Sequence, residues 1–366
     1  MRILYIQNNF GFGGINKITS VKENWLVNHG HEVHNLNMLR GYGVSPEGYY
    51  SEKIHFHDIK VSTLNKLNSV PIVGRLLRFF YLRMRSLVYL VKIRPDIIVS
   101  TQPPLEPLSI ILFTFWKKRI LEFHGWYNAI EKKDLLRRDK WYGKTRYKIY
   151  HIVCLTEREA KHLHDLFGCK AQVIPNANFV HASQYSECST KQVLSLGRFS
   201  PEKNNIDFLP SWKEIQGKHP DWTFELYGSG VEEDRIHDII RKNRLTSVHI
   251  HPYTLDVASA YLNASIFILY SRHEGFPLVL LESMAYGVPV IAYDCPCGPS
   301  EIIQSGVDGF VTEYKNPKAM VDKINYLIEH PDVRKEMGKK ARVNIQRFNI
   351  DEIMGRWIML FHQLIG

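Results

Sequence analysis

Cysteine is scarce in this chain: there are five, an odd number, and no two of them form a Cys-x-x-Cys pair. That spacing excludes a disulfide framework and a cysteine-ligated zinc site, and it suits a reducing compartment. Cys295 and Cys297, one residue apart, read as small buried or loop residues. No run of about 18 apolar residues marks a membrane-spanning helix. The opening MRILYIQNNFGFGG reads as a strand running into a loop, not as a secretory leader, so a cytoplasmic location is expected. Asp-x-Asp does not occur. The nearest acidic triplets, Glu157-x-Glu159 and Glu232-x-Asp234, fall in helical patterns, so no metal site is expected. Low-complexity tracts and short-period repeats are also missing.

What is present is an ordinary globular composition, 45% hydrophobic, over a length that exceeds what one core usually serves. Two domains are expected. The charge is uneven: residues 1–190 hold 27 Lys and Arg against 15 Asp and Glu, and the remainder 20 against 22, so the whole net charge of +10 comes from the first half. Two segments concentrate it. Lys132 to Lys148 carries eight basic and two acidic residues among Leu135, Leu136, Trp141, Tyr142 and Tyr147, and Ile72 to Arg94 mixes Arg75, Arg78, Arg83, Arg85 and Lys92 with leucine and phenylalanine. Such mixtures suit contact with anionic lipid headgroups or polyphosphates. For Ile72 to Arg94 the competing reading is a plain helix whose apolar side covers neighbouring strands. The basic excess lacks any nucleic-acid-binding module, so no nucleic-acid partner is expected.

Short apolar runs alternate with helical patterns from end to end, the signature of parallel α/β architecture. In the first half the pattern predicts strands at Arg2 to Ile6, Val33 to Leu36, Asp96 to Ser100, Arg119 to Phe123, His151 to Leu155 and Gln172 to Ile174. In the second it predicts Gln192 to Gly197, Thr223 to Tyr227, Val248 to His251, Ile266 to Tyr270, Val288 to Tyr293 and Phe310 to Thr312. Two Rossmann-like, doubly wound domains follow, at 1–180 and 192–349. The polar stretch HASQYSECSTK, 181–191, reads as the linker, and 350–366 as a final amphipathic helix. Ligands bind such sheets at the carboxyl ends of the strands.

His273 to Glu301, HEGFPLVLLESMAYGVPVIAYDCPCGPSE, is the most informative stretch. Glu274 sits on the loop Gly275, Phe276, Pro277, and Leu278 to Tyr286 reads as a helix that stops at Gly287. A loop entering a helix N-terminus offers free backbone N–H groups to an anion, while Glu274 and Glu282 can accept bonds from hydroxyls. Phosphate beside hydroxyls describes a sugar nucleotide.

With the Glu274-x7-Glu282 pair go LGRFSPEKN with Arg198 and Lys203, LYGSG at Leu226 to Gly230, VIPNANF around Asn176, CLTEREAKHL at Cys154 to Leu163, EFHG with His124, and FGFGG with Gly13 and Gly14. In this order and spacing the chain resembles the retaining GT-B glycosyltransferases, specifically the bacterial glycosyltransferase family 4 that builds lipopolysaccharides, capsules and exopolysaccharides. The resemblance covers nearly the whole chain and implies a GT-B fold, two Rossmann-like domains facing a cleft, with the last helix returning to the N-terminal domain. It also implies transfer of a hexose-type sugar from a nucleotide sugar, UDP-linked in most of this group, to a lipid-linked or polysaccharide acceptor. Work on such an acceptor would place the chain on the inner face of the cytoplasmic membrane.

The resemblance gives Arg198 and Lys203 the donor diphosphate, a role that suits a bidentate guanidinium and a point charge and needs neither metal nor other cofactor. Glu274 and the backbone of Gly275 to Leu278 take the donor sugar, Glu282 the ribose hydroxyls, and His124 the sugar. Gly13 and Gly14 let backbone approach phosphate or acceptor closely. They are no dinucleotide fingerprint, because Asn16 occupies the third glycine position. Asn176 either contacts the donor or only shapes its turn, and Tyr253 is a candidate for the nucleotide base. Retaining transfer of this kind has no firmly assigned protein nucleophile, and none is nominated. The competing readings are a sugar-nucleotide epimerase of the same fold and a catalytically silent nucleotide-sugar-binding partner subunit.

Overall fold

The computed structural model describes residues 1–7, 13–37, 50–59, 71–101, 118–125, 149–254 and 256–366. The basic segment Lys132 to Lys148 and the first three residues of FGFGG lie outside them. The chain forms two compact units, Met1–Ala177 with Asp351–Gly366, and Asn178–Ile350.

The first unit is built on a parallel sheet of seven strands in the order β3-β2-β1-β4-β5-β6-β7. They are β1 (Arg2–Gln7), β2 (Glu32–Asn37), β3 (His55–Asp58), β4 (Ile97–Ser100), β5 (Lys118–Glu122), β6 (His151–Cys154) and β7 (Ala171–Val173). The central strands read as unbroken apolar runs because helices cover both faces of a parallel sheet: Ile3, Leu4, Ile97, Ile98 and Val99 are fully buried. Among the helices are α1 (Gly14–Asn28), α2 (Pro71–Ile93) and α3 (Glu157–Phe167). The CLTEREAKHL motif is a helix start. The Thr156 hydroxyl accepts from the Glu159 backbone N–H at 3.1 Å, and Gly168 ends α3 at φ 66°.

The second unit repeats the plan with six parallel strands in the order β10-β9-β8-β11-β12-β13. These are β8 (Gln192–Leu196), β9 (Thr223–Tyr227), β10 (Val248–His251), β11 (Ile266–Leu269), β12 (Val290–Tyr293) and β13 (Gly309–Thr312). Its main helices are α4 (Trp212–Lys218), α5 (Glu233–Asn243), α6 (Val257–Leu262), α7 (Leu278–Ala285), α8 (Pro317–Glu329) and α9 (Pro331–Asn344). Phe208, Trp212, Phe224 and Tyr270 fill one core, with the Phe208 and Tyr270 rings stacked at 4.3 Å.

The segment 181–191 is not a tether. Its polar side chains bond to the second unit: Ser186 Oγ donates to the Ala264 carbonyl at 2.6 Å, Thr190 Oγ1 to that of Asn263 at 2.6 Å, and the Ser186 N–H bonds the Tyr286 carbonyl at 2.9 Å. Cys188 is 2% exposed. The last helix, α10 (Ile350–Ile365), belongs to the first unit from Asp351 onward. There the Trp25 Nε1 donates to Asp351 at 2.7 Å, and the Trp357 ring lies 4.6 Å from the Lys22 ammonium. No described helix is long and apolar enough to cross a membrane.

Candidate functional site

Each sheet has one switch point, where the strand order reverses and the crevice at the carboxyl ends opens. In the second unit it lies between β8 and β11. The loop leaving β8 carries Arg198 and Lys203, and the loop leaving β11 carries Glu274. The Lys203 ammonium donates to Glu274 at 2.7 Å, with the two side chains 21% and 11% exposed.

The two loops are laced together by the residues between these groups. The Arg272 N–H bonds the Glu202 carbonyl at 2.8 Å, and its guanidinium bonds Asn204 at 2.9 Å and Asp207 at 2.6 Å. Asn204 donates in turn to the Tyr270 carbonyl at 3.1 Å, from a left-handed conformation (φ 64°) that asparagine tolerates better than most residues. The LYGSG loop supports this arrangement from β9. A β-carbon on Gly228 would lie 2.0 Å from the Gly197 carbonyl oxygen, so glycine there is a packing requirement of the Arg198 loop.

Arg198 is the exposed member, donating to Glu202 at 3.1 Å. Burial would raise the Glu202 carboxyl, but its own backbone N–H, Ser200, Arg198 and Lys203 together hold it below the usual range. A small cavity beside these groups is lined by Gly197, Arg198, Lys203, Asn205, Tyr270 and Ser271. The Ser271 hydroxyl is buried there with no hydrogen-bond partner among the described residues, so an oxygen-rich anion would find one unsatisfied donor beside two cations.

Gly275 to Leu278 form the turn into α7, whose first turn has no side-chain cap. Phe276, 4% exposed, packs edge-on against Phe348 at 5.3 Å, and Leu278 is buried, so both side chains hold the turn in place. The turn rests on the Cys295 to Gly298 loop. A β-carbon on Gly298 (φ 93°) would come within 2.8 Å of the Gly275 carbonyl and of Pro277. Burial, then the nearby Glu274 carboxylate, pushes the Cys295 thiol up, and all five cysteines are free.

Glu282 sits in the second turn of α7, not the first, so it does not serve as a partner for the helix dipole. It is 4% exposed and accepts a bond from the Tyr261 hydroxyl of α6 at 2.9 Å. Tyr253, 53% exposed, lies on the loop after β10.

In the first unit the order reverses between β1 and β4. Gly13, the residue before α1, is exposed, and a β-carbon there would meet nothing among the described residues within 4 Å. His124 follows β5 with its imidazole turned inward, 2% exposed, its Nε2 3.2 Å from Glu122 Oε1. The same oxygen bonds the Lys22 ammonium. Asn176, 6% exposed, follows β7, and close by the Asn178 side chain accepts from the Val180 N–H at 3.1 Å. Residues sequence reasoning missed are Ser271, Arg272, Asn204 and Gly298 around Glu274, Tyr261 against Glu282, and Lys22 with Glu122 behind His124. Asn204, Glu122 and Gly298 lay inside the quoted stretches LGRFSPEKN, EFHG and His273 to Glu301, and Ser271 and Arg272 directly precede the last of these. Among the described residues no group of three His, Cys, Asp or Glu is placed to hold a metal ion.

Two family models match end to end, Glycosyltransferase Family 4 over residues 12–177 and Glycosyl transferases group 1 over residues 180–344. The chain belongs to the GT-B glycosyltransferases. Over 362 residues this glycosyltransferase is 26% identical to the amylovoran biosynthesis glycosyltransferase AmsD of Erwinia amylovora, covering 94% of this chain and 95% of AmsD. It is 31% identical over 209 residues, 56% of this chain, to an uncharacterized glycosyltransferase of Haemophilus influenzae. It spans 59% of that relative's length and 23% of the length of an exopolysaccharide phosphotransferase from Streptomyces coelicolor, to which it is 31% identical over 59% of its own. Among solved structures, S. aureus TarM, in a complex containing UDP and alpha-GlcNAc-glycerol, superposes with a TM-score of 0.80 over 98% of this chain and 99% of TarM, at 17% identity. Anabaena HepE, in complex with UDP and glucose, gives 0.77 over 99% of each chain at 16%. The shared fold is therefore GT-B, two Rossmann-like parallel-sheet domains.

Proposed function

We propose that this glycosyltransferase moves a hexose-type sugar from a nucleotide sugar, UDP-linked in the simplest case, to a lipid-linked or polysaccharide acceptor in bacterial surface-glycan synthesis. The observation that carries the reading is the Lys203 and Glu274 pair at the switch point of the second sheet, with Arg198 on the same cavity wall. As the bond between sugar and diphosphate breaks, negative charge grows on the leaving oxygens. Arg198 and Lys203 are the fixed cations within reach, and preorganised charge of this kind stabilises the transition state without reorganising water. Glu274 accepts from sugar hydroxyls and the Gly275 to Leu278 backbone donates. Glu282, oriented by Tyr261, accepts from ribose hydroxyls. His124 contacts the sugar, Tyr253 the base, and Gly13 and Gly14 admit phosphate or acceptor. The reaction is retaining and metal-independent in this reading, the acceptor hydroxyl attacking from the face the diphosphate leaves. The likeness to AmsD supports the class of acceptor, and the UDP complexes of TarM and HepE support the donor.

Sugar transfer is to be followed from a panel of UDP-, GDP- and ADP-sugars, with and without EDTA. Arg198→Ala and Lys203→Ala are each expected to lower kcat/KM roughly 100- to 1,000-fold. Wild-type rates in both variants would sink the reading. Nucleotide-dependent thermal stabilisation without turnover on any acceptor would instead identify a silent binding subunit.

A further inference from the structure

α2 is apolar on two opposite sides. One side faces the first sheet: Leu90 and Ile93, 5% and 4% exposed, join a core with Leu4, Ile6, Leu36 and Ile98. A helix lying on a sheet ordinarily gives its other side to polar residues. In α2 that side carries Leu77, Met84, Val88 and Val91, which are 46%, 59%, 54% and 61% exposed. At about 100° per residue they fall within an arc of about 60°, opposite Ser86 and Leu90, as one line about 21 Å long. Phe80, 60% exposed, borders the same arc.

The charge of the helix names the occupant. Pro71 to Ile93 contains Arg75, Arg78, Arg83, Arg85 and Lys92 and no acidic residue, and Arg94 follows directly. A second copy of the chain seated on this line would set one basic helix with no acidic residue against another, since a two-fold interface repeats the same patch. A surface that is apolar just beneath a negative layer complements both features.

We infer that the exposed line of α2 docks on an anionic phospholipid bilayer, lying in the interface with Leu77, Met84, Val88 and Val91 below the headgroups and Arg85 and Lys92, on the flank of the line, level with the phosphates. The two readings of this segment from sequence are thus compatible: one side of the helix covers strands and the other meets lipid. The inference does not depend on the catalytic reading.

The test is co-sedimentation of the full chain with vesicles, without donor or acceptor, comparing phosphatidylcholine alone with phosphatidylcholine containing phosphatidylglycerol. Wild type is expected to pellet with the anionic vesicles only, and less so as salt rises. Met84→Glu/Val88→Glu, at exposed positions, is expected to keep the wild-type melting temperature while losing roughly tenfold or more of the partitioning. Met84→Ala/Val88→Ala should lie between. Absence of wild-type pelleting, or equal pelleting by the Glu variant, would overturn the inference. So would a wild-type dimer in sedimentation velocity that the Glu variant abolishes, because the face would then belong to a second copy.

Discussion

A lysine in the middle of a helix is ordinarily solvated, yet Lys22 is 2% exposed and paired with Glu122, itself 1% exposed, 100 residues further along the chain. Burial alone would raise the Glu122 carboxyl, but Lys22 and His124 outweigh it and bring it down to about 2. A carboxyl lowered in this way stabilises the fold above its ordinary value near 4.3 and loses that stabilisation only as pH falls toward about 2. Removing one partner of a buried pair is far more costly than removing both. Lys22→Met is therefore expected to cost about 3–5 kcal/mol by urea unfolding, and Lys22→Met/Glu122→Gln to recover most of it. Gly228→Ala is the corresponding change in the second unit. Its β-carbon has no space against the Gly197 carbonyl, so loss of stability together with weaker nucleotide binding is expected from calorimetry. Neither Lys22 nor the Gly228 contact was legible in the sequence as such, because periodicity reports which face a residue occupies and not which distant residue it meets. Lys203 and Glu274, 71 residues apart, were reached only because each stood in a motif of known company.

Among the elements, strands were the most legible, since a parallel sheet buried on both faces writes itself as apolar runs. The expected ends of several ran one residue long, at Phe123, Gly197 and Tyr270, where the chain leaves the sheet to build the site loops. β3 was missed. Its sequence, His-Phe-His-Asp, is polar, and it sits at the edge of the sheet. That edge has a titration of its own. His34 Nδ1 lies 2.9 Å from His57 Nε2, with the His55 ring stacked 4.9 Å from that of His34. Burial, then His34, His55 and Lys92, push His57 down to about 4. Burial also lowers His34, with His55 and Arg2 adding to it and Glu32 opposing. A histidine lowered in the folded chain binds its proton less readily than the unfolded chain does, so stability falls with pH between about 6.5 and 4 and levels off below. Thermal unfolding across that window should show the decline, and His57→Gln should flatten it. A slope unchanged in the variant would place the titration elsewhere. Glu122, lowered to about 2 in the fold, adds to the slope only below its ordinary value near 4.3, so its pair with Lys22 acts at the acid end of this window and beneath it.

At the scale of the whole molecule the chain visits the first unit twice, at Met1–Ala177 and again at Asp351–Gly366, with the second unit continuous between. The alternation of strands and helices announced two sheets, but the polar composition of 181–191 concealed how firmly that segment belongs to the second, because hydrogen bonds to backbone carbonyls leave no apolar trace. The discontinuity makes the units separable by experiment. In the proposed binding mode, nucleotide held by Arg198, Lys203 and Glu282 stabilises only the folded form of the unit that carries them. In hydrogen exchange a nucleotide sugar is thus expected to slow β8 to β13 more than the first sheet. Deletion of 351–366 should do the opposite. It removes Trp357 from over Lys22, Asp351 from Trp25, and the bond from Arg356 to the Val173 carbonyl, all within the first unit. Exchange in α1 is expected to rise and the first unit to melt earlier, with Trp212, Phe224 and the core around them unchanged. Equal losses in both units would show that the last helix stabilises more than the sheet it covers.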